Sequence, residues 1–164
     1  MLANSRTSEE QGAIMGSYPP RLTLQADTAA DLMSENPISL PEHASVSDAI
    51  ALMARRGFSV APVIDAAGRA VGVVSVSDLI IHEREFDLFP RTPSSHAPIG
   101  EPRRDPATVA DIMTPAVLSV RPTALAGEVV RIMNSYRVHH VFVADETGTL
   151  IGVIGTSDLV RKLG

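Results

Sequence analysis

The sequence predicts a mixed α/β (α+β) fold: two β-α-β-β-α repeats packed as a pseudo-twofold pair. Three observations carry that expectation. The stretch Gly72-Val73-Val74-Ser75-Val76-Ser77-Asp78-Leu79 returns as Gly152-Val153-Ile154-Gly155-Thr156-Ser157-Asp158-Leu159, a shift of 152 − 72 = 80 residues. The same shift pairs Asp31 with Asp111, Met33 with Met113, Met53 with Met133, Asp65 with Asp145 and Gly68 with Gly148, without a gap across either copy. Each copy holds about 55 residues, a size at which one core is marginal by itself. A unit written twice buries its apolar strands by packing on its own copy.

Composition narrows the classes. Hydrophobic residues make up 45% of the 164, but only 4% are aromatic and Trp is absent. Val, Ile, Leu, Ala and Met must therefore fill the interior. A formal charge of −5 argues against general nucleic-acid binding. Thirteen of the 14 cations are Arg, which keeps a local phosphate-binding patch open. The absence of Cys excludes disulfides, thiolate catalysis and Cys-based metal sites. The polar start Met1-Leu2-Ala3-Asn4-Ser5-Arg6 lacks the apolar core of a signal peptide. No run approaches the roughly 18 apolar residues of a membrane span. A soluble cytoplasmic protein with no membrane segment is the expectation.

Residues 1–27 read as a flexible tail, with Leu22 and Leu24 able to dock on the body. The first repeat, 28–83, opens with Thr28 capping a short helix through Met33. Pro37 to Leu40 reads as a brief strand. Ser45 caps the next helix, whose apolar stripe is Ala49, Ile50, Leu52 and Met53, and Gly57 ends it. Val60 to Ile64 is a nearly continuous apolar run, as in a strand covered on both faces. Asp65 to Gly68 turns the hairpin and Ala70 to Ser75 returns. Ser77 is read as the cap of a helix through Ile81. Residues 84–107 carry five prolines and read as a linker. The second repeat, 108–164, follows with a helix at Val109 to Met113, a strand at Val117 to Val120 and a helix from Leu125 to Tyr136. A hairpin of His139 to Ala144 and Leu150 to Gly155 comes next, then a helix from Thr156 to the C-terminus.

Val60-Ala61-Pro62-Val63-Ile64-Asp65, Gly68 and the Gly72–Leu79 stretch resemble the signature of CBS (cystathionine-β-synthase) domains. The Asp31-Leu32-Met33 opening agrees, as does the second copy with His139-His140-Val141-Phe142-Val143-Ala144-Asp145. The resemblance covers 28–83 and 108–163. It implies a tandem pair, a Bateman module, that commonly forms a homodimer, binds adenine-containing ligands between its motifs and acts as a regulatory sensor.

The chemistry such a site needs can be stated residue by residue. A strand that ends in a hydroxyl and runs into a helix start aims free N–H groups at one spot. Phosphate can sit there with Ser75 and Ser77, and Asp78 can accept bonds from ribose hydroxyls. Pro37-Ile38 and Ala61-Pro62 can offer an apolar slot for adenine; Val117, Leu118, Val141 and Phe142 take those places in the second copy. There Gly155 replaces the hydroxyl of Ser75, leaving Thr156, Ser157 and Asp158. For Ser77 and Ser157 a plain helix cap is the competing role, and for Asp78 and Asp158 first-turn complementarity to the dipole.

His139 and His140 stand where the resemblance implies basic groups that reach phosphate. Alternation along a strand lets at most one face any one site. Packed or surface histidine is the competing role for both. No histidine spacing fits a metal site, and no nucleophile elbow or P-loop is present.

The reading is a non-catalytic regulatory module. Its expected ligand is AMP, ADP, ATP or S-adenosylmethionine, with no cofactor required, and it signals to a separate effector protein. The rival is a ligand-independent dimerisation or docking module whose clefts have decayed.

Overall fold

The computed structural model describes residues 22–88 and 105–164. In chain order the elements of the first repeat are α1 (Ala29–Leu32), β1 (Ser34–Glu35), β2 (Leu40–Pro41), α2 (Val46–Arg56), β3 (Val60–Ile64), β4 (Ala70–Ser75) and α3 (Val76–Leu88). Those of the second are α4 (Val109–Ile112), β5 (Ser119–Val120), α5 (Ala126–Tyr136), β6 (His140–Ala144), β7 (Leu150–Gly155) and α6 (Thr156–Arg161). The mixed α/β architecture and the repetition both follow the expectation.

Local chemistry explains most boundaries. Ser45 Oγ accepts from Asp48 N at 3.1 Å and caps α2, and Gly57 closes it at φ +70°. In the hairpins Asp65 Oδ1 accepts from Ala67 N and Arg69 N, both at 2.9 Å, and Asp145 Oδ1 accepts from Thr147 N and Thr149 N at 2.9 and 3.0 Å. Those bonds hold both carboxyls below the usual range: the bonds from Arg69 are the largest cause for Asp65, and that from the Thr147 hydroxyl for Asp145. Gly68 and Gly148 supply the left-handed turn residue at φ +78° and +84°.

Several expected boundaries move. The stretch Pro37 to Leu40 contributes only Leu40 to a strand; Pro37 has no N–H to give a ladder, and pairing begins earlier, at Ser34–Glu35. Likewise Val117 and Leu118 lie outside β5. The cap of α3 is Ser75, not Ser77, because Ser75 Oγ accepts from Asp78 N at 3.2 Å. That helix also runs on to Leu88, five residues into the expected linker, since its first proline stands at 90. By contrast α6 stops at Arg161: Gly164 and Thr23 exchange backbone bonds of 2.9 and 3.0 Å, and Leu24 packs against the second core. Part of the expected tail, residues 22–27, is thus ordered against the C-terminus. The rest of it, residues 1–21, and residues 89–104 of the linker lie outside the described residues.

The main departure is topological. The sheets have the orders β2-β3-β4 and β1-β7-β6-β5, so the first repeat's β1 pairs with β7 of the second. The exchange is reciprocal, for Val73 and Thr114 trade backbone bonds of 3.0 and 2.9 Å. Each leading helix goes with its segment: Ala29 and Leu32 are buried in the core of the second repeat, and Val109 in that of the first. The hairpin tips also meet, where Leu150 N donates to Gly68 O at 3.0 Å.

Two glycines record the crossing. Met113 lies on Gly72 and Met33 on Gly152. A Cβ on Gly72 would stand 2.8 Å from the Thr114 carbonyl oxygen, a backbone atom with little freedom to withdraw. Gly72→Ala is therefore expected to destabilise the chain by about 1–3 kcal/mol through overpacking, read as a lower urea midpoint at an unchanged slope.

Candidate functional site

Strand alternation builds the site. Ala61 and Val63 of β3, and Val141 and Val143 of β6, point into the two helix-covered cores and are at most 1% exposed. Val60, Pro62, His140 and Phe142 project from the opposite face, into the space between the repeats. Ala61 and Val141, expected as parts of an adenine slot, therefore face away from that space; their neighbours line it.

Two clefts flank this central row. One, of about 320 Å3, is bounded by Asn36, Pro37 and Ile38, by Pro62 and Phe142, and by Gly155, Ser157 and Asp158. The other, of about 590 Å3, is bounded by Ala116, Val117 and Leu118, by Ser59 and Val73, and by Tyr136, Val138 and His139. Val60, His140 and Phe142 border both. Under the 80-residue shift Ile38 maps to Leu118 and Val153 to Val73, so the clefts are pseudo-symmetric mates. Their volumes fall in or near the ~300–1,000 Å3 range of small-molecule sites.

Because the leading segments cross over, the expected groupings are exchanged. Ile38 faces the second repeat's turn at Ser157 and Asp158, not that of Ser75 to Asp78. Leu118 and Val117 share a cleft with Val73 of the first repeat. Ser75, Ser77 and Asp78 are not among the walls of either cavity. They adjoin the larger one, since Ser75 pairs with Val60 and Val76 N donates to Ser59 O at 3.0 Å. Thr156 is exposed, with its hydroxyl on the His139 carbonyl.

The two acidic positions differ in what already holds them. Asp78 uses one oxygen in a reciprocal cap: Oδ2 accepts from Ser75 N at 2.8 Å and from Ser75 Oγ at 2.7 Å. Asp158 is 7% exposed and uses both oxygens. Its Oδ2 accepts from Gly155 N at 2.7 Å, and its Oδ1 from Ser34 Oγ at 3.2 Å and from Arg161. The bond from Ser34, delivered by the crossed β1, gave no signal in the sequence.

His140 packs over Gly155. A Cβ at residue 155 would lie 3.3 Å from His140 Cδ2, 3.4 Å from Asp158 Oδ2 and 3.5 Å from His140 Nε2, so the imidazole presses on the volume that Ser75 uses in the first repeat. The small Val60 stands beside Ser75 and the large His140 beside Gly155, in equivalent register. Burial, with His139 nearby, lowers the His140 pKa against the opposing pull of Asp158, which favours the neutral ring. His139, next along the chain, is exposed and borders only the larger cleft; both histidines therefore line that cleft, against the expectation of at most one, because β6 begins at His140 and strand alternation does not reach His139. Among the described residues no three His, Asp or Glu side chains converge as metal donors, and no helix is long and apolar enough to cross a membrane.

Size complementarity at this pair makes a measurable prediction. Gly155→Ser alone should cost about 1–2 kcal/mol of unfolding free energy. Combined with His140→Val, which copies the Ser75–Val60 arrangement, it should cost clearly less than the sum of the single changes. Additive costs in a urea double-mutant cycle would show that the two positions do not share that volume.

Comparison with known proteins identifies the family and the fold. The family model described as the CBS domain matches residues 29–85 and again residues 109–164. Protein MJ1426 of Methanocaldococcus jannaschii is 27% identical over 150 residues, 81% of this chain and 89% of that one. The crystal structure of CBSX2 in complex with AMP superposes with a TM-score of 0.64 at 26% identity, covering 82% of this chain and 93% of the other. The cytosolic domain of the Mg2+ channel MgtE in complex with ATP gives a TM-score of 0.63 at 28% identity, over 82% of this chain and 48% of the other. Other relatives are far longer, and the chain spans 25% of the inosine-5'-monophosphate dehydrogenase of Nitrosopumilus maritimus. Two matches in register with the internal repeat place the chain in the CBS-domain family, as a tandem pair.

Proposed function

We propose that this tandem pair is a non-catalytic regulatory module that binds an adenine nucleotide between its repeats and passes the event to a separate protein. CBS-domain proteins are typically regulatory modules, and relatives of this chain have been solved with AMP and with ATP. The observation that carries the reading is the 590 Å3 cleft walled by both repeats, apolar within and bordered by a strand-to-helix turn.

Adenine suits the apolar pocket between Val117, Leu118 and Phe142. Ribose and phosphate would then lie toward the start of α3, where Ser75, Ser77 and the helix N-terminus offer donors. Among the described residues Asp78 Oδ1 has no protein partner, so it stays available to a ribose hydroxyl. A ligand walled by both repeats favours whichever arrangement of them fits it, and that difference in affinity is the signal. The smaller cleft supports the rival reading for its own half, because Arg161 and Ser34 already occupy Asp158.

A homodimer belongs to the same proposal. Between α2 and α3 an apolar groove of about 720 Å3 is lined by Ile50, Met53, Phe58, Val76 and Ile80, and Ile80 and Ile81 are 54% and 56% exposed. A second copy covering this face would remove Val76 and Ile80 of α3 from water. Ile80→Glu should convert a dimer to monomer in sedimentation velocity; an unchanged sedimentation coefficient would place the interface elsewhere.

The central test is thermal denaturation with AMP, ADP, ATP, S-adenosylmethionine and NAD. A ligand at 100 times its Kd adds about 2.7 kcal/mol of apparent stability, so at least one adenine nucleotide should raise Tm by several degrees. Asp78→Ala should weaken that nucleotide by about 1–3 kcal/mol. No shift with any of the five ligands leaves only a scaffold.

A further inference from the structure

We propose that the two clefts compete for one side chain, His140, and that the pair therefore holds one nucleotide tightly and a second only weakly. The inference rests on the nucleotide reading above and deepens it.

The partition between the clefts is one side chain thick. Val60, His140 and Phe142 each border both cavities, so whatever occupies one cleft touches the wall of the other. Within that wall the imidazole is the sole side chain able to hydrogen-bond. The 80-residue shift exchanges Val60 with His140 and Pro62 with Phe142, so the pseudo-twofold supplies no second polar group. A duplicated site thus has an unduplicated donor.

The ring stands between the two sides. Its Cδ2–Nε2 edge packs over Gly155, 3.3 Å from where a Cβ would stand, and the buried Asp158 carboxylate adjoins the same point. On the other side stand Ser59, Val73 and the exposed His139. A neutral imidazole carries one N–H and donates to one acceptor at a time. A phosphate in the larger cleft would turn that donor to its own side, and one in the smaller cleft would turn it toward the Gly155–Asp158 turn. The second ligand then binds without the donor and against a wall already fixed by the first. By linkage the penalty is the same in whichever order the clefts fill.

The test is calorimetric titration of the full chain with AMP, comparing the unmodified chain with variants in which one cleft is filled. Leu118→Trp fills the larger cleft and Ile38→Trp the smaller, with Leu118→Phe and Ile38→Phe as substitutes where the Trp variant does not fold. Each remaining cleft, titrated alone, should bind AMP about tenfold or more tightly than the weaker step of the unfilled chain. Adding His140→Val, which copies Val60, should bring that ratio below about threefold. Two independent steps matching the two filled variants would overturn the inference and leave nucleotide binding standing. So would a ratio that persists in His140→Val, or a cleft that binds no AMP even when titrated alone. Absence of binding in every variant and in the unmodified chain would overturn the nucleotide reading and this inference together.

Discussion

The exchange of leading segments is the constraint on which the rest of the molecule depends. Residues 29–35 leave their own repeat, bury Ala29 and Leu32 in the other core and hand β1 to β7; residues 109–114 do the same in reverse. Two adjacent globules of about 55 residues could separate at the cost of one interface. Two interlocked ones cannot, because parting them unpairs β1 from β7 and removes apolar side chains from both interiors. Gly72 and Gly152 are small for the same reason: each lies under a methionine that arrives from the other half.

The clefts are a consequence of that crossing. After β1 the chain must return from the second sheet to the first, and it does so through Asn36, Pro37 and Ile38. The connection is left outside any strand and becomes a wall. Asn36 takes a left-handed conformation at φ +50° at this point, a geometry asparagine tolerates better than most residues. The same return at Ala116 to Leu118 walls the other cleft. Each cleft is thus closed by a segment of one repeat and floored by the hairpin of the other, so neither repeat alone contains a site.

Much of this was legible in the sequence, and what was not has identifiable causes. The hairpins, α2, α5 and the apolar strands are set by turn chemistry and periodicity within each copy, and they fall where those signals put them. Crossing leaves no such trace, because an 80-residue repeat reads identically whether each leading segment stays at home or changes places. A two-residue strand such as Ser34–Glu35 carries no periodicity at all. Ser75 and Ser77 are both plausible caps, and only the fold shows that Asp78 closes its box on the former. Ala61 and Val141 were placeable from strand alternation alone: if His140 and Phe142 face the clefts, the residue between them cannot.

The asymmetry between the halves is concentrated at one cross-strand pair, Val60 with Ser75 in the first repeat and His140 with Gly155 in the second. Had Gly155 been a simple loss of a phosphate-binding hydroxyl, the second repeat would show an empty space where Ser75 stands in the first. It shows an imidazole instead, 3.3 Å from the position of the missing Cβ. The residues at 155 and 140 are therefore in packing contact, with a small residue at the turn beside a large polar one at the partition. That arrangement lacks a hydroxyl which could serve only the smaller cleft and has a donor in reach of both. Asp158, with no serine at 155 to partner, accepts from Ser34 and Arg161, so its charge stays compensated with the cleft unfilled. The two repeats keep one architecture, but only at the partition do they have to share a residue, and there a single substitution can tie the occupancy of one cleft to that of the other.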